Sequence, residues 1–310
     1  MSCLFWNYRG LGNPATIQEL TIMVKQKDPL VLFLSETKLD EKRLESLRCY
    51  WGFGGKLVVQ SSGQSGGLAL FWRKGLSAGV SSYSHHHIDA VVDGNSQQPW
   101  RFTGFYGSPT LARKHVAWDI LRVLVNHHHL PWLCGGDFNE LLRGDEKWGR
   151  VARSETQMAQ FREVVDDCGL LDLGFSGPQY TWWNKRDGGA RVLERLDRCL
   201  ANAEWLFLFP SCRVHHLQGV FSDHRPLWIE LNSDNTPTQP RRKQFRFEEM
   251  WTMDPSCEET VWQAWEKTQH GTAMYQVSEK IKASRVELRN WSFTQFGIVR
   301  SLISAKTQQL

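Results

Sequence analysis

Short apolar runs, too brief for helices, recur through the first three-quarters of the chain and alternate with helically spaced segments and glycine-rich turns. Leu4 to Trp6 reads as a buried strand. Asn13-Pro14 then supplies an N-cap with proline at the first helical position, and Ile17, Leu20, Ile22, Met23 and Val24 form the apolar side of the helix that follows. Leu30 to Leu34 reads as a second strand. Further strands are expected at Leu68 to Trp72, Ile88 to Val92, Arg101 to Phe105, Trp132 to Gly135, Tyr180 to Trp183, Leu193 to Leu200 and Pro226 to Leu231. Many strands with interspersed helices predict a layered α/β architecture.

The pattern changes at Asn232-Ser233-Asp234-Asn235-Thr236-Pro237-Thr238-Gln239-Pro240, which has almost nothing to bury. The expected organisation is therefore a strand-rich module over 1–231, a linker over 232–244 and a helical extension over 245–310, where Val277, Ile281, Leu288 and Trp291 recur at helical spacing. No repeat is present. The 310 residues are 41% hydrophobic and 12% aromatic, enough to fill a sizeable core and to exclude a disordered chain. No run approaches the roughly 18 apolar residues of a membrane span, and the start lacks the features of a secretory signal. The nucleus or cytoplasm is the expected location, with no membrane partner.

Seven cysteines without a C-x-x-C pair argue against a disulfide framework or a structural zinc site and for reduced thiols. The tracts His85-His86-His87 and His127-His128-His129 read as solvated loop or helix-end histidines. A net charge of +4 is too balanced to announce a nucleic-acid partner. After Pro240 eleven basic residues face eight acids, leaving the first module at +1, so any phosphate binding there depends on local clusters. Arg9, Arg186, Arg225 and the run Arg241-Arg242-Lys243 are candidates, the last reading more readily as a solvated linker face.

Chemistry enters where polar residues follow apolar strands. Asn7 ends the first run, Glu36 the second, Tyr106 a third, and Asp137 and Asn139 follow a fourth. In α/β folds, strand ends assemble sites from sequence-distant residues. Each residue alone is more often a turn or helix cap, and Gly135-Gly136 fits either a tight turn or close approach of a ligand. Asp197 lies in a strand-like segment, as a surface charge, a salt-bridge partner of Arg195 or Arg198, or a site residue. Asp223-His224 precedes another apolar run, as a turn or as an acid and base. Asn7, Glu36 and Asp223 are hard oxygen ligands of the kind magnesium prefers. Asp137 could orient and deprotonate a water, while Asn139 and Tyr106 could hydrogen-bond a phosphate whose growing charge a carboxylate-paired histidine would stabilise.

Taken in order, Trp6-Asn7, Gly10-Leu11, Ser35-Glu36-Thr37, Tyr106, Gly136-Asp137-Phe138-Asn139, Arg195-Leu196-Asp197 and Ser222-Asp223-His224 resemble the endonuclease/exonuclease/phosphatase superfamily, and within it the apurinic-endonuclease-like branch. Arg9-Gly10-Leu11-Gly12-Asn13-Pro14, Ser65-Gly66-Gly67-Leu68-Ala69-Leu70, Gly177-Pro178-Gln179-Tyr180-Thr181-Trp182, Glu194-Arg195-Leu196-Asp197-Arg198, Phe245-Arg246-Phe247-Glu248-Glu249-Met250-Trp251, Trp291 and Phe296-Gly297 narrow the likeness to endonuclease domains of plant non-LTR (LINE-type) retrotransposons.

The resemblance implies a four-layer sandwich of two mixed, mainly antiparallel β-sheets flanked by helices. It implies Mg2+ held by Glu36 with Asn7 and Asp223, with Mn2+ as a substitute. Asp137 would position the attacking water, and Asp197 would pair with His224, which faces the scissile phosphate beside Asn139 and Tyr106. DNA is the implied partner, nicked to leave a 3′-hydroxyl, with Tyr106, Asn139, Thr181, Trp182 and Arg9 near it. The tail would connect to a reverse transcriptase absent from this chain, which ends at Leu310 without an Ala-Asp-Asp polymerase motif, as a truncated or domesticated copy or a piece of a longer product. Competing readings are a phosphatase or other phosphodiesterase of the same superfamily, and a catalytically silent nucleic-acid-binding relic.

Overall fold

Alternate residues of the long strands face different apolar layers, and this alternation builds the fold. The computed structural model describes residues 1–61, 66–93, 98–231 and 249–266, with Phe247 and parts of 276–295. The expected linker, Arg241 to Lys243 and Phe296-Gly297 lie outside the described residues. The chain divides into two compact units, Met1–Asp234 and Asn235–Leu310.

The first unit opens with β1 (Ser2–Asn7), α1 (Pro14–Lys27), β2 (Val31–Ser35), α2 (Glu41–Trp51), β3 (Phe53–Val59) and β4 (Leu68–Arg73). It continues through β5 (Ala78–Ser84), β6 (His87–Val92), β7 (Trp100–Tyr106), α3 (Lys114–Val125), β8 (Trp132–Asp137), β9 (Lys147–Trp148) and α4 (Glu155–Asp167). The remainder is β10 (Leu171–Asp172), β11 (Trp182–Trp183), β12 (Leu193–Glu194), β13 (Asp197–Ala201), α5 (Ala203–Leu208), β14 (Arg213–His216) and β15 (Leu227–Glu230).

Two six-stranded sheets result, ordered β14-β15-β1-β2-β4-β3 and β10-β13-β8-β7-β6-β5, beside a small sheet β11-β12-β9. Each large sheet contains one parallel pair, β1 with β2 and β7 with β8, among antiparallel neighbours. Cys3, Phe5, Val31 and Phe33 face Ile88, Phe102 and Leu133 in the core between the sheets. Leu4, Trp6, Leu32 and Leu34 turn the other way, onto Leu20 and Val24 of α1 and Leu44 and Leu47 of α2. Phe105, Trp132 and Cys134 likewise pack on Trp118 and Leu121 of α3 and Phe161 and Val164 of α4. Strands buried on both faces read as unbroken apolar runs, which is why the inner ones were legible.

Glycines let the sheets approach. Gly135 and Gly136 do not form a turn; both lie inside β8, where a Cβ on Gly135 would meet the Phe5 ring at 2.7 Å. At Gly104 a Cβ would lie 2.1 Å from a ring carbon of Phe33, itself fully buried. Gly104→Ala is therefore expected to destabilise the unit by about 1–3 kcal/mol through overpacking. Urea unfolding measures this, and an unchanged midpoint would show that Phe33 can yield.

Other expectations shift. Leu193 to Leu200 is not one strand: Leu193–Glu194 joins the small sheet and Asp197–Ala201 joins β8, with Arg195 and Leu196 crossing between them. Of Tyr180 to Trp183 only Trp182–Trp183 is strand. Sequence reading missed β3, β5 and β14; β5 alternates exposed and half-buried residues and carries no apolar run. His87 is buried between Ser82 and Ser84, and burial lowers its pKa to about 4, whereas His127 to His129 are exposed as expected. No helix among the described residues is long and apolar enough to cross a membrane.

In the second unit α6 (Pro255–Glu266) is followed by further helical residues. Trp251, Cys257 and Leu288 are buried together, with Val261 and Trp291 against them. The expected stripe divides accordingly: Leu288 and Trp291 pack, while Val277 and Ile281 are exposed.

Candidate active site

The two parallel pairs bring strand ends to one edge. Their registers set Asn7 beside Ser35 and Tyr106 beside Asp137, so that Glu36, one residue beyond β2, joins them. Glu36 and Asn139 both adopt left-handed backbone, at φ 52° and 54°, a conformation uncommon for residues with a side chain and one that recurs at functional sites. The antiparallel strands complete the edge. β13 begins at Asp197 directly opposite Asp137, and β15, paired with β1, follows the turn that carries Asp223 and His224.

Two hydrogen-bonded groups lie side by side at this edge. Tyr106 Oη donates to Glu36 Oε1 at 2.9 Å, and Asn7 Nδ2 donates to the same oxygen at 3.0 Å and to Asp137 Oδ2 at 2.9 Å. Asp137 Oδ1 accepts from the Asn139 amide at 2.9 Å, and its Oδ2 from Asn139 Nδ2 at 3.1 Å. His224 Nδ1 lies 2.9 Å from Asp197 Oδ2, and its Nε2 lies 3.8 Å from Asp137 Oδ2, beyond hydrogen-bond range. Asn7, Glu36, Tyr106, Asp137, Asn139, Asp197 and His224 thus form one cluster.

Its electrostatics follow from burial. Asp137 is 1% exposed, and loss of hydration pushes its carboxyl up to about 7, with His224 the main opposing influence. Burial disfavours a charged His224, but Asp197 and then Asp137 outweigh it and raise the imidazole to about 9. Tyr106 is raised by burial and by Glu36 and Asp137.

The loop bearing Asp223 and His224 is pinned by residues that motif reading quoted without a role. Ser222 Oγ donates to the Asn7 carbonyl at 2.8 Å and accepts from the His224 amide, while Trp6 Nε1 donates to the His224 carbonyl at 3.0 Å. Lys114 Nζ and Arg153 Nη2 both donate to the Asn139 carbonyl, at 2.7 and 2.9 Å, and both pair with buried Glu140. No short motif could expose that clamp, because Lys114 and Arg153 lie 25 and 14 residues from Asn139 in sequence.

Several expected roles change. Asp197 pairs with neither Arg195 nor Arg198, which instead bind Glu146 and Asp172. Thr181 is fully buried and offers no surface to a nucleic acid; its hydroxyl accepts from the Leu196 and Asp197 amides at 3.0 and 2.9 Å and so sets the start of β13. Thr181→Val should therefore cost about 1–3 kcal/mol of stability by stranding those donors, with DNA affinity unchanged. Paired urea-unfolding and anisotropy titrations test this; weakened binding at full stability would restore Thr181 as a contact. Both amide hydrogens of Asn139 are engaged, by Gly107 and Asp137, so the group orients Asp137 instead of presenting a free donor. Trp182 Nε1 donates to Asp223 Oδ2 at 3.0 Å.

Asp223 stands slightly apart. Its Oδ2 also pairs with Arg9, whose side chain is half exposed, and its buried Oδ1 has no hydrogen-bond partner. Asp223, like Glu36, holds Arg9 in its charged form. Glu36 Oε2 has Lys38 at 3.9 Å. Hard oxygen atoms, one of them orphaned, suit a divalent cation that keeps several waters. Asp137, Asp197 and His224 also offer ligand atoms within 4.8 Å of one another and could hold a metal ion with His224 deprotonated.

Residues 4–224 match the Endonuclease/Exonuclease/phosphatase family. Comparison with curated proteins finds no match. Among solved structures, the chain is similar to the 3′ phosphatase NExo from Neisseria bound to product DNA hairpin, at 19% identity and TM-score 0.59 over 75% of this chain and 100% of that one. The endonuclease domain of TRAS1, a telomere-specific non-LTR retrotransposon, aligns at 19% identity and TM-score 0.56 over 75% of this chain and 99% of that one. The AP endonuclease LMAP from Leishmania major aligns at 18% identity and TM-score 0.56, over 74% of this chain and 86% of that one. These likenesses show the fold: two large mixed sheets flanked by helices.

Proposed function

Since this chain belongs to the endonuclease/exonuclease/phosphatase family, we propose that it is a divalent-metal-dependent DNA endonuclease that nicks one strand and leaves a 3′-hydroxyl. Magnesium is the cofactor in this reading and manganese a substitute. The observation that carries the proposal is the hydrogen-bonded array from Tyr106 through Glu36 and Asn7 to Asp137, with the His224–Asp197 pair 3.8 Å from Asp137. Such a set of a base, a carboxylate-stabilised imidazolium and hard oxygen ligands is suited to phosphodiester hydrolysis.

Glu36, with Asn7 and Asp223, would hold the cation, which when bound supplies Lewis-acid polarisation of a phosphate oxygen. Asp137, held by Asn7 and Asn139, accepts a proton from water as its oxygen forms the new bond to phosphorus. The bond from phosphorus to the 3′-oxygen breaks in line, and that oxygen leaves as the 3′-hydroxyl once protonated. His224, kept cationic by Asp197, directs Nε2 at the phosphate and offsets its added charge. Tyr106 fixes Glu36.

The similarity to the TRAS1 domain supports a retroelement origin, with 1–231 as the nuclease, 232–244 as a linker and 245–310 as a connector toward a reverse transcriptase. Similarity to NExo favours a second reading, removal of a 3′ phosphate by the same groups. Plasmid nicking by the purified chain with magnesium, and its loss in EDTA, tests the first reading. Turnover confined to 3′-phosphate ends with supercoiled DNA left intact would replace it with the second.

A further inference from the structure

Asn139 is held from two directions. Its side-chain nitrogen donates to the Gly107 carbonyl at 2.9 Å and to Asp137 Oδ2 at 3.1 Å, and its amide donates to Asp137 Oδ1 at 2.9 Å. On the other side its carbonyl accepts from Nζ of Lys114, the first residue of α3, at 2.7 Å and from Nη2 of Arg153, in the loop before α4, at 2.9 Å. The residue between these two sets of bonds has left-handed backbone, which few side-chain-bearing residues adopt unaided. Amide, side chain and carbonyl belong to one residue, so a fixed carbonyl restrains the dihedrals that aim the other two at Asp137.

The two cations on that carbonyl belong to a largely buried charge network. Lys114 Nζ pairs with Glu140 Oε2 at 2.6 Å and Arg153 Nε with Glu140 Oε1 at 2.8 Å. Arg153 Nη1 and Lys147 Nζ both reach Glu194 Oε1, at 3.4 and 2.6 Å. Burial raises the Glu140 carboxyl, yet Lys114 and Arg153 together hold it below its ordinary value, as a carboxylate. Lys114, Arg153 and Lys147 thus outnumber Glu140 and Glu194 by one cation, and the surplus is directed at a neutral carbonyl. Taking charges out of water is costly, and a buried ion pair is often no more stabilising than apolar residues of like volume. A single neutral donor would satisfy the carbonyl. Two charged donors, each locked by a second partner, make shorter and stronger bonds, and what they stiffen is the residue that orients the base.

We infer that Lys114 and Arg153 are positioning residues for the hydrolytic step: by clamping the Asn139 carbonyl they hold the Asp137 carboxylate in its working orientation. Neither touches the reacting atoms. The inference rests on the nuclease reading and deepens it, because it assigns part of the rate to charges that lie behind the site and outside every motif.

Two measurements test it, one of them without catalysis. Lys114→Met should lower kcat for plasmid nicking by about 10²-fold, the cost of a slightly misplaced group, with KM held within about threefold. Lys114→Arg, which returns a charged donor, should recover kcat to within about fivefold of wild type. Arg153→Met, at a side chain 23% exposed and so less disruptive to folding, should show the same split between kcat and KM. Arg101→Met is the control: it breaks an equally buried pair, with Asp89, at the end of β7 opposite Tyr106. It should lower the thermal midpoint while leaving kcat of the folded protein within about threefold. Hydrogen exchange at the Asn139 amide, followed in EDTA without DNA and well below each midpoint, should quicken about tenfold in Lys114→Met and Arg153→Met but not in Arg101→Met. A kcat loss that Lys114→Arg does not restore, one that Arg101→Met reproduces, or Asn139 exchange unchanged in both clamp variants would overturn the inference. The expected exchange pattern in a chain that never nicks DNA with magnesium would leave the clamp on Asn139 assigned and defeat the nuclease reading; nicking with unchanged exchange would do the reverse.

Discussion

Asp137→Asn is expected to lower plasmid nicking by about 10²–10⁴-fold, the range a positioned general base contributes. The carboxylate is buried and its pKa raised to about 7, so at neutral pH it is poised to accept a proton, which an amide cannot do. Stability should change far less than activity, because two effects oppose. The substitution removes a charge whose burial is costly, yet it places an amide nitrogen among donors from Asn7 and Asn139 that now meet a carboxylate. Single-turnover nicking combined with thermal unfolding separates these. Near wild-type rates from a folded Asp137→Asn protein would remove Asp137 from the mechanism, and the hydrolytic scheme with it.

His224→Ala should cost about 10²–10³-fold, comparable with removal of one donor from a transition-state charge site. Its partner offers a sharper test through pH. Asp197 and Asp137 together raise the imidazole to about 9 against the downward pull of burial, so the cationic form persists through neutrality. Removing the Asp197 charge lowers that value, and the cation is then lost earlier as pH rises. Asp197→Asn should accordingly retain most activity at the acidic end of the profile and fall away at a lower pH than the wild type. A profile parallel to wild type, displaced only in height, would mean that Asp197 does not tune the imidazole.

How much of this was legible depends on whether the cause was local. The inner strands could be read because both of their faces are buried, which compresses the signal into apolar runs such as Leu30 to Leu34. The edge strand β5 was not, since half of its residues meet solvent. Asn7, Glu36, Tyr106 and Asp137 stood out as polar residues closing apolar runs, and the structure links all four. The burial of Thr181 was not legible because a buried hydroxyl and an exposed one look alike in sequence; only the amides of Leu196 and Asp197 reveal what it binds.

By itself, then, the order of residues determined the strands buried on both faces, the helix start at Asn13-Pro14 and the polar side chains that end the buried runs. These depend on neighbours a few positions away, through backbone preference and the burial of alternating faces. The tertiary structure decided which ends meet, that Arg195 and Arg198 serve Glu146 and Asp172 while Asp197 serves His224, and that Gly104 and Gly135 accommodate facing phenylalanines. Those outcomes depend on sheet order and on groups far apart along the chain, whose hydrogen bonds and loss of hydration exist only once the layers have closed.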